Sequence, residues 1–465
     1  MSFQYIKEIQ FQKNESVREV MRKMNDLAIH TEGRGFGVVV DENGSCVGVV
    51  TDGDIRRKLT DGVLIDESIE KAVNIDFVFA TTDDSPHQIL RLFDNKIKNI
   101  PVLSESAKLL DLLQSNNYRA SSRTEKKVIR SRVPMRVSFA GGGTDMSFYF
   151  NSSPGYVLGS TINKYCYTTI SVRPDSKIVL TSKDYNQRIE YESVNQISND
   201  QQGSLGLIKA CIRIMEPEFG FELETSSDSE PGSGLGGSSA ISVSILGAFN
   251  HFRNENHLSD YHLADLAYQA ERIDLGIQGG WQDQYSTAFG GLNLIEFRHN
   301  DILVTPLRIS EDVFLELHFN LLLFRFGESR ESGSIISDQQ RIFETSQMEL
   351  KAQYKKLSQL TLLIKDALIK GELKKFGELL HEGWLIKKTF SQKISNIYID
   401  NLYSTAQKHG AIGGKVLGAG SSGYLLVYCN PSYQSAVIEA LREKNANLEY
   451  FDFVKKGLQT WTACH

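Results

Sequence analysis

Cysteine is scarce. The 465 residues hold five, Cys46, Cys166, Cys211, Cys429 and Cys464, and no two form a CxxC pair. That scatter speaks against a zinc site or a disulfide framework and for free thiols in a reducing cytoplasm. Basic charge is not in surplus: Lys and Arg number 51 against 57 Asp and Glu, for a net charge of −6. A nucleic-acid partner is therefore not expected. No run of 18 apolar residues occurs, so no membrane partner is expected. The opening MSFQYIKEIQFQKNESV lacks an apolar core of signal-peptide length. The expectation is a cytoplasmic chain. Its 41% hydrophobic and 23% charged content is ordinary, and its length suits two or three domains of roughly 150 residues.

The first 113 residues read as an internal repeat. SVREVMRKMND spaces Val17, Val20, Met21 and Met24 as a helix does. GFGVVVD and CVGVV flank the turn ENGS as a hairpin. TDGDIRRKL opens a helix with acids at its positive end. SPHQILRLFDN, NIPVL and KLLDLLQ repeat that order loosely. Residues 114–129 are polar and read as a linker. Residues 130–465 mix strands and helices in the order of an α+β enzyme. Within them LELHFNLLLFRF reads as one or two strands, and a helical stretch runs from about Ile335 to His409.

A phosphate loop without its lysine sits at 231–240, PGSGLGGSSA, before an apolar helical run. The P-loop pattern fails, because Ser238 stands where the lysine belongs. Gly232, Gly234 and Gly237 satisfy GxGxxG, but the next segment continues helical where a dinucleotide fold needs a strand. An anion cradle at a helix N-terminus remains: glycines let backbone N–H groups approach, and the helix dipole favours negative charge. Ser238 and Ser239 then cap the helix or reach a metal. The plain alternative is a flexible turn.

Four segments in one order resolve the choice. PGSGLGGSSA resembles the second motif of the GHMP small-molecule kinases. RVPMRVSFAGGGTD (132–145) resembles their first, KVLGAGSSGYLLVY (415–428) their third, and GIQGGWQDQYSTAFGG (276–291) the stretch with their acidic residue. The wording of RSRVPMRVSFAGGGTD, AERIDLGIQGGWQDQY and GELLHEGWLIKK is closest to the heptose 7-phosphate kinases of that family. The resemblance implies a two-lobed fold, with a ribosomal-S5-like lobe over 130–300 and a ferredoxin-like lobe over 301–465. It implies ATP and Mg2+ as cofactors and a sugar phosphate substrate, phosphorylated on its anomeric hydroxyl. GVVTDGDIRR (48–57) resembles CBS domains, implying a small α/β CBS pair over 1–113 that takes an adenine nucleotide. CBS pairs often dock together, so a homo-oligomer is the expectation.

The resemblance carries roles residue by residue. Asp283 matches the family's base and Arg136 the arginine of the first motif. Pro231, Gly232, Gly234, Leu235, Gly236, Gly237, Ser238 and Ser239 form the ATP loop. Ser239 and Glu271 match the metal ligands. Gly142, Gly143, Thr144, Asp145 and Gly420 line the substrate, with Asp145 suited to accept from two hydroxyls. A 7-phosphate needs cations, for which Arg330 and Lys387 are candidates. Thr51 and Asp54 match the CBS contacts to ribose and phosphate; alternatively, they simply cap their helix. Ser421 and Ser422 interrupt a turn that the family builds from unbroken glycine. Two other readings stay open: a sugar-1-kinase for another hexose or heptose, and a non-catalytic nucleotide sensor on a degenerate kinase fold.

Overall fold

The computed structural model describes residues 5–31, 35–94, 96–115, 118, 127–200, 205–253, 257–327, 333–345, 349–418, 420 and 423–463. The chain divides into two compact units, 1–125 and 126–465.

The first unit repeats one order of elements. Its first half is β1 (Gln10–Gln12), α1 (Val17–Leu27), β2 (Phe36–Val40), β3 (Cys46–Thr51) and α2 (Asp52–Thr60). Its second is β4 (Ala80–Thr81), α3 (Pro86–Leu92), β5 (Asn99–Leu103) and β6 (Leu109–Gln114). In each half the first strand runs parallel to the second, and the second antiparallel to the third. α1 buries Val17, Val20 and Met24, while Met21 is 37% exposed. The buried face is therefore narrower than the sequence spacing implies. The halves share one apolar core, in which Phe36, Val38, Val40 and Val49 meet Leu103, Leu109 and Leu112. Burying those faces against each other gives each small sheet the partner layer it needs.

The second unit opens with β7 (Val128–Ala140), α4 (Ser147–Phe150), β8 (Gly155–Val172), β9 (Ile178–Ser182) and β10 (Gln187–Tyr191). Next come α5 (Val194–Asn199), α6 (Gly206–Met215), β11 (Phe221–Ser227), α7 (Gly237–Asn250) and α8 (Asp260–Tyr268). A π-helical turn, Gln269–Asp274, then leads to α9 (Gln282–Phe289), β12 (Leu292–Arg298) and β13 (Asp301–Pro306). α10 (Glu311–Asn320), β14 (Leu321–Phe326), α11 (Gly333–Thr345), α12 (Glu349–Ile369), α13 (Leu373–Lys388) and α14 (Ile397–Lys408) follow. β15 (Ala411–Val416), β16 (Gly423–Cys429), α15 (Pro431–Arg442), β17 (Asn447–Glu449), β18 (Phe453–Val454) and β19 (Gln459–Thr462) complete it.

The strands form two sheets. A nine-stranded one runs β10-β9-β11-β8-β12-β13, with β7 along the other edge of β8, β19 on β7, and β18 on β8. A four-stranded antiparallel sheet runs β15-β16-β14-β17. α7 packs against β7 and β8 and is buried on nearly every side, through Ala240, Val243, Ile245, Leu246, Ala248 and Phe249 among others. A helix enclosed this way cannot slide, so its N-terminus is a fixed point.

One sequence expectation is corrected. LELHFN does not form a strand; it is the C-terminal part of α10, and only LLLFRF is β14. The Ser310 hydroxyl caps that helix, accepting from Val313 N at 3.4 Å, with Glu311 and Asp312 in the first turn. On this helix Leu315 and Phe319 are exposed and Leu317 is buried. The helical stretch from 335 to 409 is α11 to α14, as expected.

Candidate active site

The glycine loop turns into α7 through Gly236, whose φ of +78° lies in the left-handed region that suits glycine. Gly236 is the N-cap and supplies no side-chain hydrogen bond. The first amides of the helix are thus left without the oxygen that usually satisfies them. Gly234 lies against the third-motif turn, where a Cβ would meet the Leu417 carbonyl oxygen at 2.9 Å. Arg136 N donates to Leu235 O at 3.0 Å and ties the loop to β7. Leu235 itself is buried in the core.

Two cavities meet at this loop. One, of about 430 Å³, is lined by Pro231, Gly232, Gly237 and Ser238 together with Leu207, Ile208, Ile241 and Tyr185. The other, of about 550 Å³, is lined by Gly232, Gly234, Gly236, Gly237 and Ser238 on one side. Its remaining wall includes Arg136, Gly143, Asp145, Arg272, Asp283 and Lys387.

Ser238 and Ser239 do not cap α7. Their hydroxyls donate to Glu271 Oε2 at 3.2 and 3.1 Å, and Ser242 Oγ donates to Oε1 at 3.2 Å. Ser239 and Glu271 are both fully buried. Burial pushes the Glu271 carboxyl above its ordinary range, against the pull of Arg272 Nη1 at 3.1 Å. Glu271 sits on the π-helical turn, a distortion frequent at functional sites. Among the described residues no three His, Cys, Asp or Glu gather as a metal cage. A hydroxyl beside a carboxylate is nevertheless a hard-oxygen pair of the kind magnesium uses when phosphates and waters complete its shell. The two residues fit that ion.

Asp283 enters at the first turn of α9. Its Oδ1 accepts from Arg136 Nε at 2.8 Å and Nη2 at 2.7 Å, while Arg136 Nη1 reaches Gly234 O at 2.5 Å. Arg136 lies on β7 between two register breaks, one of them at Pro134, which has no N–H to pair. The guanidinium is 3% exposed and the carboxylate 21%, so the base candidate faces the cavity while its partner is held behind it.

Asp145 is fully buried. Its Oδ1 accepts from Gly143 N at 2.7 Å and its Oδ2 from Gln282 N at 3.2 Å. Burial raises its pKa, the Gly143 amide opposes that, and the Asp283 charge adds to it. Each carboxylate oxygen keeps acceptor capacity for a further hydroxyl. A Cβ on Gly280 would collide with Oδ2, so the second glycine of GGWQD admits this carboxylate, while a Cβ on the first, Gly279, would collide with Arg272. Thr144 instead holds the backbone, with its hydroxyl 2.9 Å from Gly141 O and accepting from Tyr156 N at 3.0 Å.

Lys387 Nζ donates to Gly142 O at 2.7 Å, and desolvation lowers its pKa to about 8. Lys415, quoted in the third motif but not singled out there, donates to Ser138 O at 2.7 Å. Its pKa is pushed down to about 7, first by desolvation and then by Lys387 and Arg136. Both half-buried lysines therefore brace the first glycine motif. Gly418 lines the cavity, whereas Gly420 lies against Ile394. Arg330, Ser421 and Ser422 lie outside the described residues. Arg272, Gln282 and Gln339 also line the cavity. Sequence reasoning missed them because a polar residue on a helix or turn reads as solvated.

In the first unit, Thr51 and Asp54 line a separate cavity of about 430 Å³ with Asp52, Asp76, Phe77, Lys96 and Lys98. They also form a full capping box: Thr51 Oγ1 accepts from Asp54 N at 3.2 Å and Asp54 Oδ2 accepts from Thr51 N at 3.0 Å. Capping and a place at a cavity thus coexist.

Comparison with known proteins places the geometry. Residues 206–291 match the GHMP kinases N terminal domain, 364–447 the GHMP kinases C terminal domain, and 7–61 the CBS domain. A D-glycero-alpha-D-manno-heptose 7-phosphate kinase of Campylobacter jejuni is 36% identical over 341 residues, covering 72% of this chain and 99% of that protein. The chain belongs to the GHMP kinases. Among solved members of this kinase fold, a D-glycero-D-manno-heptose 1-phosphate kinase from Bacteroides thetaiotaomicron aligns with a TM-score of 0.60 and 33% identity. That alignment covers 72% of this chain and all of that one. A sugar kinase from C. jejuni aligns with a TM-score of 0.59 and 34% identity, covering 73% of this chain and all of that one. This GHMP kinase is thus a phosphotransferase acting on a sugar, with a small CBS module ahead of its kinase fold.

Proposed function

We propose that the chain transfers the γ-phosphoryl group of ATP to the anomeric hydroxyl of D-glycero-D-manno-heptose 7-phosphate, giving the 1,7-bisphosphate. The observation that carries the reading is one cavity holding an uncapped helix start, a carboxylate clamped by arginine, and a second carboxylate with free acceptor capacity. The 36% identity to a heptose 7-phosphate kinase supports the sugar.

The α7 amides hold the phosphate chain, and the cavity bounded by Leu207, Ile208 and Ile241 receives the base. Ser239 and Glu271 would hold a magnesium ion, which when bound would supply neutralising charge for the transfer. Asp145 accepts from two sugar hydroxyls and sets the ring. Asp283 accepts the proton of the anomeric hydroxyl as its oxygen bonds to the γ-phosphorus; the bond to the β-phosphate oxygen breaks and ADP leaves. Arg136 fixes the Asp283 carboxylate and neutralises charge that grows beside it. Lys387 stands near the sugar as a cation for the distal phosphate. In the CBS module an adenine nucleotide occupies the cavity of Thr51 and Asp54 and regulates turnover.

Purified protein with ATP, magnesium and a panel of sugars and sugar phosphates tests the proposal. ADP release only with heptose 7-phosphate is expected. Release with free hexoses alone makes the chain a kinase for another sugar. No release with any sugar makes it a nucleotide sensor.

A further inference from the structure

Two amides in the reaction cavity have carbonyl oxygens that find no hydrogen-bond partner among the described residues. Gln339 on α11 is 1% exposed, and its Oε1 is buried without a partner. Gln282, at the start of α9 and next to Asp283, has a buried and unpartnered Oε1 as well. Both side chains line the same 550 Å³ cavity as Asp145 and Asp283. A buried amide oxygen left unpaired is unfavourable, and native interiors hold few of them. Two such groups on one cavity wall, from helices far apart in sequence, describe a surface made for hydroxyl donors that arrive with the ligand. The neighbours agree. The Gln282 backbone N–H is already given to Asp145 Oδ2 at 3.2 Å, so its side chain stands beside the carboxylate assigned to the sugar. Gly142 lies beside this side chain: a Cβ there would sit 3.5 Å from the Gln282 amide nitrogen, in ordinary van der Waals contact.

We infer that Gln282 and Gln339 read hydroxyl groups of the acceptor sugar, extending the Asp145 contact to further ring and side-chain positions. The inference rests on the sugar-kinase reading and adds residues that select the polyol. It makes a demand that a structural role does not. A structural glutamine stabilises the fold, so its loss lowers Tm. A glutamine waiting for ligand is a burden on the unliganded fold, so an apolar replacement leaves Tm unchanged or raises it.

The test uses the full chain with Gln339→Leu, Gln282→Leu and, as the conservative variant, Gln339→Glu, which keeps a carbonyl-type acceptor. Initial rates with D-glycero-D-manno-heptose 7-phosphate and ATP give the two KM values, and Tm is read with and without the sugar. In each leucine variant the sugar KM is expected to rise about tenfold, the worth of one ordinary hydrogen bond. The ATP KM and the unliganded Tm hold, and the sugar-induced rise in Tm shrinks. Gln339→Glu recovers part of the affinity. Unchanged sugar KM in both leucine variants, or a fall in unliganded Tm that accounts for the loss, overturns the inference while the proposed function stands. If the unaltered protein turns over no sugar phosphate, the proposed function and this inference fall together.

Discussion

Two helices of this chain begin beside a cavity, and they begin differently. α2 starts at Thr51, whose hydroxyl and backbone are both engaged with Asp54, and carries Asp52 and Asp54 in its first turn. α7 starts at Gly236, with no side-chain cap and no acid in its first turn, and its serines turn away to Glu271. The difference decides what each can hold. An anion at α7 meets open amides and a favourable dipole. An anion near α2 meets donors already used and two carboxylates, so its charge must fall to the lining lysines, Lys96 and Lys98. The first arrangement suits a phosphate chain in transfer, the second a nucleotide read by side chains.

The harshest way to test that division is to disable the chemistry beside α7. Asp283→Asn should cut kcat by roughly 10²–10⁴-fold, the usual worth of a positioned general base. Tm should fall by only a few degrees, because an amide oxygen still accepts from Arg136. Asp283→Ala should lose as much activity and more stability, since the nearly buried guanidinium then has no partner on that side. Steady-state rates and melting curves of the two variants side by side check this. Retained turnover in the asparagine variant removes Asp283 as the base.

Much of this was legible in the sequence, for a physical reason. A glycine loop, a motif acid and an alternating strand are local patterns, and local patterns survive without coordinates. The CBS-like repeat and the helix after the glycine loop are of this kind, whereas Ser239 and Glu271, 32 positions apart, are paired in the sequence only through the family resemblance. What escaped depends on contacts distant along the chain. Lys415 on β15 reads as one more polar strand residue until Ser138, 277 positions earlier, meets it. Gln339 reads as a helix surface residue until its burial is seen. LELHFN alternates apolar and polar residues as a strand does, yet the Ser-Glu-Asp start that precedes it is that of a helix, and the helix is what forms.

A gentler probe titrates the two lysines that brace the first glycine motif on the α7 side. The folded-state pKa of Lys387 is about 8, below the ordinary lysine value, so its charge is lost as pH rises through 8. If that charge serves the distal phosphate, the sugar KM rises above pH 8, and Lys387→Met shows a high, flat KM of about tenfold the native value at pH 7. Stability moves the other way. Lys387 and Lys415, at about 8 and about 7, are both less basic folded than unfolded. Through that interval the unfolded chain binds more protons, so their contribution to stability improves from pH 7 toward 10. Lys415→Met should flatten the rise of Tm across that range. A Tm slope unchanged by this substitution shows that the ammonium group is not desolvated in solution.

The smallest effect belongs to α2, and it bears most directly on whether the two helix starts serve separate sites. Thr51→Ala removes a cap and should cost the first unit about 1 kcal/mol. Thr51→Ser keeps the hydroxyl and should restore it. Calorimetry of the full chain with AMP, with the kinase site filled by a non-hydrolysable ATP analogue, reads the other role. A several-fold weaker AMP affinity in the alanine variant, recovered by serine, means that one hydroxyl both caps the helix and touches the nucleotide. Lost stability with unchanged affinity reduces Thr51 to a cap. In either case kcat at saturating ATP and sugar phosphate, measured without AMP, should change by less than about twofold, because no hydrogen bond of the reaction cavity is touched, and only the response of turnover to added AMP should weaken with its affinity. A collapse of kcat like that expected of Asp283→Asn would couple the two helix starts and undo the division of labour drawn between them.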